Sequence, residues 1–149
     1  MEKLKVLGVS KSFDGESVIR DIHIELREGE LVSLLGISGG GKTTLFNVIA
    51  GLSLPDQGQV LLDGRDITGQ PGNVSYMLQK DLLLPYRTIV DNVALPLLIK
   101  GAGKKEAREK ASAYFGQFGL EGTEMKYPGQ LSGGMRQRAA LLRTYPVSY

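Results

Sequence analysis

The sequence predicts an α/β fold in which an N-terminal antiparallel sheet leads into a parallel-stranded core and then into a helical region. Three patterns carry this prediction. Residues 18–26 alternate apolar and polar side chains in their second half, which is typical of a half-buried strand. Between residues 31 and 51, a short apolar run, a glycine-rich loop and an apolar helical stretch follow one another. Two later stretches, 104–118 and 135–143, have helical spacing.

Length and composition restrict the classes of protein that the chain can represent. Its 149 residues are enough for one domain with a hydrophobic core. The net charge of +2 provides no strongly basic surface, so nucleic acid is not predicted as a partner. The absence of cysteine excludes disulfides and thiolate metal sites. We expect no signal peptide after Met1 and no membrane span, because no apolar run approaches about 18 residues.

The N-terminal part of the chain has the pattern of an antiparallel sheet. Residues 4–9 are β-capable, and in the alternating stretch that follows them His23 and Glu25 fall on the polar face. Residues 59–63 form a further predicted strand. The Asp-Gly pair at 63–64 predicts a hairpin turn at the end of that strand.

The stretch from Gly36 to Thr44 matches the phosphate-binding pattern G-x-x-x-x-G-K-[ST]. Glycines let the backbone wrap closely around an anion, because no Cβ atom blocks the approach. Successive N–H groups then point inward, and the N-terminus of the following helix adds its dipole. Lys42 supplies charge for the phosphates and Thr43 supplies a hydroxyl for Mg²⁺. The candidate phosphate-binding residues are Gly36, Ser38, Gly39, Gly40, Gly41, Lys42, Thr43 and Thr44.

The flanking sequence favours this interpretation over a glycine-rich surface turn. Residues 31–35 form an apolar run that suits a buried parallel strand, and residues 45–50 suit a helix that ends at Gly51. Strand, glycine loop and helix is the order that a phosphate-binding loop requires. A further strand is predicted at residues 73–78, directly before Gln79.

The second half of the chain is predicted to be helical. Residues 88–95 form a predicted helix with Thr88 as its N-cap and Asp91 three residues later. Residues 104–118 form an amphipathic helix, whose apolar side chains are assigned to core packing. These side chains are Ala107, Ala111, Tyr114, Phe115 and Phe118.

A second glycine motif, Leu-Ser-Gly-Gly-Met-Arg-Gln-Arg at residues 131–138, opens the last predicted helix. The hydroxyl of Ser132 and the N–H groups of Gly133 and Gly134 form a second anion site at a helix N-terminus. The two motifs together resemble the ATP-binding-cassette (ABC) ATPases, in which this signature of one subunit covers the γ-phosphate held by the phosphate loop of the other. The resemblance covers about residues 4–145.

The resemblance implies further site residues. Phe13 corresponds to the aromatic residue that stacks on adenine, with simple core packing as the alternative. Gln79 corresponds to the glutamine that contacts Mg²⁺ and the attacking water, so Thr43 and Gln79 are the expected Mg²⁺ ligands. Residues 80–99 correspond to the region that grips the membrane permease, and an apolar, proline-bearing segment suits a docking groove.

The same resemblance implies ATP and Mg²⁺ as cofactors, a second ABC ATPase subunit in a homodimer, a membrane permease and, indirectly, a solute-binding protein. The expected location is the cytoplasmic face of the cell membrane. The implied fold is a P-loop NTPase core with an antiparallel β-subdomain and a helical subdomain. One domain spans residues 1–149, with the phosphate-loop core at about 4–80 and the helical signature region at about 81–145.

The sequence of residues 76–97 is most similar to that of the nitrate/sulfonate/taurine-type importer ATPases, a group that also includes transporters of pyrimidine precursors. The expected function is therefore that of an importer subunit that couples ATP binding and hydrolysis to solute uptake. The ATPase does not touch the cargo, so the solute itself is not predicted.

The chain also departs from the family. Members continue into a strand that ends in Asp-Glu and later reach a switch histidine, whereas this chain contains no Asp-Glu pair. Asp63 precedes a glycine in the predicted hairpin, and His23 lies in an early strand, so neither takes these roles. The sequence from Pro146 onward differs from the sequence pattern of the family. We therefore expect an incomplete cassette with doubtful turnover and low stability in isolation.

Three other classes of protein are weighed against the importer subunit. A non-hydrolysing nucleotide-binding module fits the missing Asp-Glu pair. A soluble ABC protein of DNA repair or translation would carry long insertions or tandem cassettes, and neither is present. In a P-loop kinase, residues 131–138 would have no role.

Overall fold

The computed structural model describes residues 1–37 and 39–145. The chain forms two compact units, of which the first spans Met1–Ser75 and the second begins at Tyr76. Each unit has its own hydrophobic core. Across the described residues, no helix combines the length and the apolar character that crossing a membrane requires.

The first unit is built on a four-stranded antiparallel sheet with the order β2-β1-β3-β4. The strands predicted at 4–9, 18–26 and 59–63 are confirmed, and β3 and β4 are joined by the predicted Asp-Gly hairpin, in which both turn residues have positive φ. The bounds are β1 Glu2–Phe13, β2 Glu16–Arg27, β3 Gln57–Leu62 and β4 Arg65–Asp66.

One helix, α1 (Lys42–Ile49), packs its apolar face on this sheet. Gly51 follows it with a φ of 79°, as the predicted glycine stop requires. On β2, His23 and Glu25 are exposed, as the alternation predicts. The buried core of the first unit consists of Val6, Val9, Ile19, Leu45, Val48, Ile49, Val60 and Ile67.

The strands predicted at residues 31–35 and 73–78 are not present in the structure, and this part of the prediction is wrong for the described residues. Neither run pairs with any strand of the sheet. A buried parallel strand forms only where neighbours accept its backbone hydrogen bonds, and the antiparallel sheet provides none for these runs. As a result, Leu31 is 92% and Leu35 95% exposed.

The second unit is helical, and its core lies between α2, α3 and α4. The helices are α2 Ile89–Ile99, α3 Lys104–Ser112 and α4 Gly133–Thr144, with a 3₁₀ turn at Pro128–Gln130. Their buried side chains form one cluster, to which the loops contribute as well. It consists of Leu83, Ile89, Val90, Val93, Ala94, Leu97, Ala107, Ala111, Phe115, Leu120, Leu131, Ala139 and Leu142.

Two helix ends differ from the prediction. Helix α2 continues through Pro96 instead of ending at residue 95. Proline costs the helix one hydrogen bond and crowds the preceding turn, but Leu97 beyond it is buried in the core of the unit and favours the extra turn. Helix α3 ends at Ser112 instead of residue 118. Beyond it the chain continues in tighter turns, in which the N–H of Phe115 bonds the carbonyl oxygen of Ser112. Phe115 is nevertheless buried, so its assignment to the core is confirmed.

Candidate functional site

The phosphate-binding candidate lies in the first unit, where the glycine loop meets the N-terminus of α1. Gly41 is the N-cap of α1 in the left-handed conformation, with φ 88°. The Lys42 ammonium turns back over the loop, contacts the carbonyl oxygen of Gly36 and lies 3.4 Å from that of Ile37. The N–H of Gly40 donates to the Ile37 carbonyl oxygen at 3.1 Å, which closes the loop as a turn. Ser38 lies outside the described residues.

The loop is held by direct packing of Gly41 against β2. A Cβ atom added to Gly41 would lie 2.7 Å from Ile19 Cγ2, which is closer than real contacts allow, and 3.0 Å from the Val18 carbonyl oxygen, which is an unusually tight contact. Gly39 has a similar φ of 84°, but a Cβ atom there would meet nothing within 4 Å. Backbone conformation therefore restricts both positions, whereas steric contact restricts Gly41 alone.

The charges around the loop fit an anion. In the described part of the chain, the Lys42 ammonium contacts two backbone carbonyl oxygens, and no acidic residue lies in the first turn of α1. Within residues 1–37 and 39–145, no carboxylate forms an ion pair with Lys42. A cation at the positive end of a helix is electrostatically unfavourable until a negative group joins it. Thr43 is exposed beside it, while Thr44 is half-buried.

Phe13 lies at the end of β1 and is 49% exposed, so its side chain is not part of the core. The Lys11 ammonium lies 5.3 Å from the centroid of its ring. One face of the ring thus meets a cation, and the side chain is accessible to a flat ligand. The structure therefore does not support core packing of Phe13, and its stacking on adenine stays a prediction.

The second anion-site candidate is the N-terminus of α4 in the second unit. Ser132 is the N-cap, and its Oγ accepts a hydrogen bond from the Met135 N–H at 3.2 Å. Gly133 and Gly134 are exposed in the first turn, where the N–H groups have no acceptor within the helix. The predicted helix at 135–143 thus begins two residues earlier, at the glycines themselves.

Gln79 belongs to the second unit and contacts the same helix. Its side chain is exposed, and its carbonyl oxygen accepts a hydrogen bond from Gln137 Nε2 at 3.3 Å. The structure therefore associates Gln79 with α4 within the second unit, whereas the phosphate-loop residues and Phe13 both belong to the first unit.

Sequence reasoning missed Asn92, which organises the segment before α2. Its side chain is fully buried, and Oδ1 accepts from the Leu84 N–H at 2.7 Å. Its Nδ2 donates to the carbonyl oxygens of Leu84, Arg87 and Thr88 at 3.0–3.1 Å. The signal that could have revealed it is an asparagine between Val90 and Val93, in a helical stretch that is otherwise apolar except for Asp91.

An open groove of about 520 Å³ lies beside this segment. Its basic side chains are Arg87, Lys104 and Arg108, and Asp91 is its one acidic side chain. Asp91 accepts two hydrogen bonds from Arg108, at 2.7 and 2.8 Å, and this bonding lowers the pKa of the Asp91 carboxyl below its ordinary value. The remaining lining is mostly aromatic or apolar: Tyr86, Leu98, Met125 and Tyr127, with Thr88.

Comparison with known proteins gives consistent matches. The family model described as "ABC transporter" matches residues 19–147. The chain is 48% identical over 128 residues to the uncharacterized ABC transporter ATP-binding protein YtlC of Bacillus subtilis, covering 86% of this chain and 49% of that protein. It is also 48% identical over 143 residues to the formylaminopyrimidine import ATP-binding protein ThiZ of Halalkalibacterium halodurans, covering 95% and 55%. The chain spans about half the length of these curated relatives.

A solved structure with a similar fold is the dimeric post-hydrolysis state of the ATP-binding cassette MJ0796 bound to ADP and Pi. The TM-score is 0.81 at 30% sequence identity, and the match covers 95% of this chain and 68% of that one. The predicted α/β class and the nucleotide-binding cassette fold that the resemblance implies are thereby confirmed.

Proposed function

Because the chain belongs to the ABC transporter family, we propose that it acts as the ATP-binding part of an importer and couples ATP binding and hydrolysis to solute uptake. The observation that carries this proposal is the Lys42 ammonium, which lies over the glycine loop at the N-terminus of α1 without a carboxylate partner among the described residues. The names of several relatives support the importer assignment, since they describe import ATP-binding proteins.

In this proposal the first unit holds the nucleotide. The N–H groups of the loop from Gly39 to Gly41 and the ammonium of Lys42 bind the phosphates, and the Thr43 hydroxyl provides a ligand for Mg²⁺. A bound Mg²⁺ would neutralise phosphate charge. Phe13 stacks on the base, which its exposure at the end of β1 permits.

The second unit is proposed to contribute two sets of residues. Ser132, Gly133 and Gly134 would cover the phosphates held by a second copy, and Gln79 would contact Mg²⁺ and orient water. The dimeric state of a solved relative supports this arrangement. Mg-ATP should then double the molar mass of the chain in light scattering, and a monomer at every nucleotide concentration would refute the dimer.

The membrane partner is proposed to dock on the groove beside α2, which is lined in part by the predicted region 80–99. Arg87 and Lys104 leave the groove with excess positive charge, since Arg108 is already paired with Asp91. The groove therefore suits an acidic, partly apolar segment of a permease.

This docking can be tested by cross-linking, because the chain contains no cysteine. Tyr86→Cys places a single thiol at the groove, where Tyr86 is 73% exposed. In membranes that contain the transporter, it should cross-link to an integral membrane protein, whereas Lys3→Cys on the first unit should not. Cross-linking of both variants to the same partners, or of neither to a membrane protein, would exclude this docking site.

The cargo group is also part of the proposal. The sequence of residues 76–97 and the similarity to a formylaminopyrimidine import protein support the nitrate/sulfonate/taurine-type group. Membership of this group implies a small organic or oxyanionic solute. Relatives whose names give sulfate/thiosulfate, spermidine/putrescine and Fe(3+) ions show that the cassette accompanies different solutes in different transporters. Uptake assays of a strain that lacks this ATPase, with these solute classes as probes, would test the group.

Lys42→Ala tests nucleotide binding by the 149-residue chain. We expect it to weaken Mg-ATP binding about 10- to 100-fold, because charge-assisted hydrogen bonds contribute about 1.5–3 kcal/mol. Isothermal titration measures the affinity, and Lys3→Ala is the matched control, since it removes the same charge from an exposed ion pair with Asp63. Equal affinity of Lys42→Ala and the parent chain would rule out this site.

Turnover measured on the same three proteins separates two functions. Mg-ATP hydrolysis that disappears with Lys42→Ala supports the coupled ATPase. Binding without turnover supports the alternative of a nucleotide-binding module.

A further inference from the structure

Side chains of α4 hold the backbone of residues 79–82. Arg143 donates from Nη2 to the Asp81 carbonyl oxygen at 2.7 Å and from Nη1 to the Leu82 carbonyl oxygen at 2.9 Å. Gln137 donates from Nε2 to the Gln79 carbonyl oxygen at 3.3 Å. Three carbonyls of four consecutive residues are thus bound by one helix.

The geometry of the Arg143 guanidinium suits the two neighbouring carbonyl oxygens that it binds. A guanidinium presents its donors as a rigid planar fork, which an ammonium cannot reproduce. Leu82 has a φ of 49°, in the left-handed region that non-glycine residues rarely adopt, so its carbonyl direction needs external support. Arg143 is partly buried, and this burial lowers the pKa of its guanidinium.

Asp81 strengthens the same attachment through its side chain. Its Oδ1 accepts from the Leu83 N–H at 3.0 Å, and its Oδ2 lies 3.2 Å from Arg136 Nε. The Arg136 contact lacks hydrogen-bond geometry and is therefore an ion pair only. Arg136 and Arg143 are seven residues apart, which places both on one face of α4.

We propose that Arg143 is a positioning residue that fixes Gln79 relative to the N-terminus of α4. This inference rests on the proposed function, in which Gln79 orients water and Ser132 covers the nucleotide of a second copy. Helix α4 spans 12 residues, about 18 Å, and joins these two points as one rigid element. Any displacement of the Ser132 end is then transmitted to the segment that begins at Gln79, through the guanidinium fork at residues 81 and 82 and through Gln137 at Gln79.

The test compares Arg143→Met with Arg138→Met in the full chain. Both variants remove one positive charge from α4, but Arg138 is exposed and on another face of the helix. Amide hydrogen exchange by NMR is followed at Leu83 and Leu84, whose N–H groups bond Asp81 and Asn92. We expect exchange at least about tenfold faster in Arg143→Met and unchanged in Arg138→Met.

The amide of Ile89, which bonds the Lys126 carbonyl oxygen, is the reference within the same unit. If exchange at Ile89 accelerates equally, Arg143 only stabilises the second unit as a whole. If exchange at Leu83 and Leu84 is unchanged, Arg143 does not hold this segment. Either result overturns the proposal. Arg143→Lys keeps the charge without the fork, and we expect an intermediate exchange rate.

Turnover provides the functional readout. Where the parent chain hydrolyses Mg-ATP, Arg143→Met should lower kcat about tenfold or more and leave KM within about twofold, since the phosphate-binding residues are unchanged. An equal loss in Arg138→Met, or a rise in KM alone, contradicts positioning of Gln79. If the parent chain has no turnover, the hydrolysis part of the proposed function fails, and the exchange comparison alone decides the role of Arg143.

Discussion

Replacing Asn92 by alanine is expected to destabilise the second unit by about 3–5 kcal/mol. The substitution removes the acceptor of the partly buried Leu84 N–H and the side-chain donor to the Arg87 carbonyl, while the Leu84 and Thr88 carbonyls each lose one of two donors. Each orphaned buried group costs about 1–3 kcal/mol, and the small cavity adds to the loss. Urea unfolding, followed by the fluorescence of the tyrosines, measures the change in the free energy of unfolding.

Asn92→Asp separates the two halves of this network. It keeps an oxygen for the Leu84 N–H but removes the donors to the three carbonyls and places a carboxylate beside them, so it should also be strongly destabilising. Asn73→Ala in the first unit is the control, because Asn73 is less buried and bonds Gln70 and Arg65 in a loop. A loss of less than about 1 kcal/mol in Asn92→Ala would contradict the assigned role.

Gly41→Ala is expected to cost the first unit about 2–4 kcal/mol and to abolish tight Mg-ATP binding. The left-handed conformation costs a residue with a side chain about 1–2 kcal/mol. The added methyl group would overlap Ile19 and the Val18 carbonyl, and overpacking of this kind costs about 1–3 kcal/mol more. Because β2 cannot retreat without opening the core around Val9 and Val48, the loop must shift instead.

Gly39→Ala is the matched control for Gly41→Ala. It carries the same conformational cost at φ 84° but meets no atom within 4 Å. Denaturant unfolding should therefore show a loss of about 1 kcal/mol for Gly39→Ala and at least twice that for Gly41→Ala. Equal losses would show that the contact with β2 does not shape the loop.

The parts of the fold that could be predicted from the sequence depend on local chemistry. The Asp-Gly hairpin, the Thr88 cap and the glycine stop at Gly51 each follow from the conformational preference of one or two residues. The same holds for the glycine loop and Lys42, because the pattern itself encodes backbone conformation and charge.

The parts that could not be predicted depend on distant partners. Residues 31–35 have the composition of a buried strand, but a strand also requires a neighbour, and apolar composition does not provide one. Asn92 gains its role only when the segment at residues 84–88 folds over α2. The hydrogen bonds from Arg143 to the carbonyl oxygens of residues 81 and 82 join positions about 60 residues apart, so no local sequence pattern predicts them.

The sheet order described above has a consequence for how the first unit folds. Strand β1 pairs with β2 through a two-residue turn, but its other edge pairs with β3, where Leu4 meets Leu62. The phosphate-binding candidate and α1 lie inside the long chain segment that this second pairing closes. The chain loses the conformational entropy of this segment in one step, when β3 pairs with β1. The β1–β2 hairpin forms without that step and does not by itself order the glycine loop. Ordering of the glycine loop should therefore accompany the late, slow closure of the ladder rather than the early hairpin.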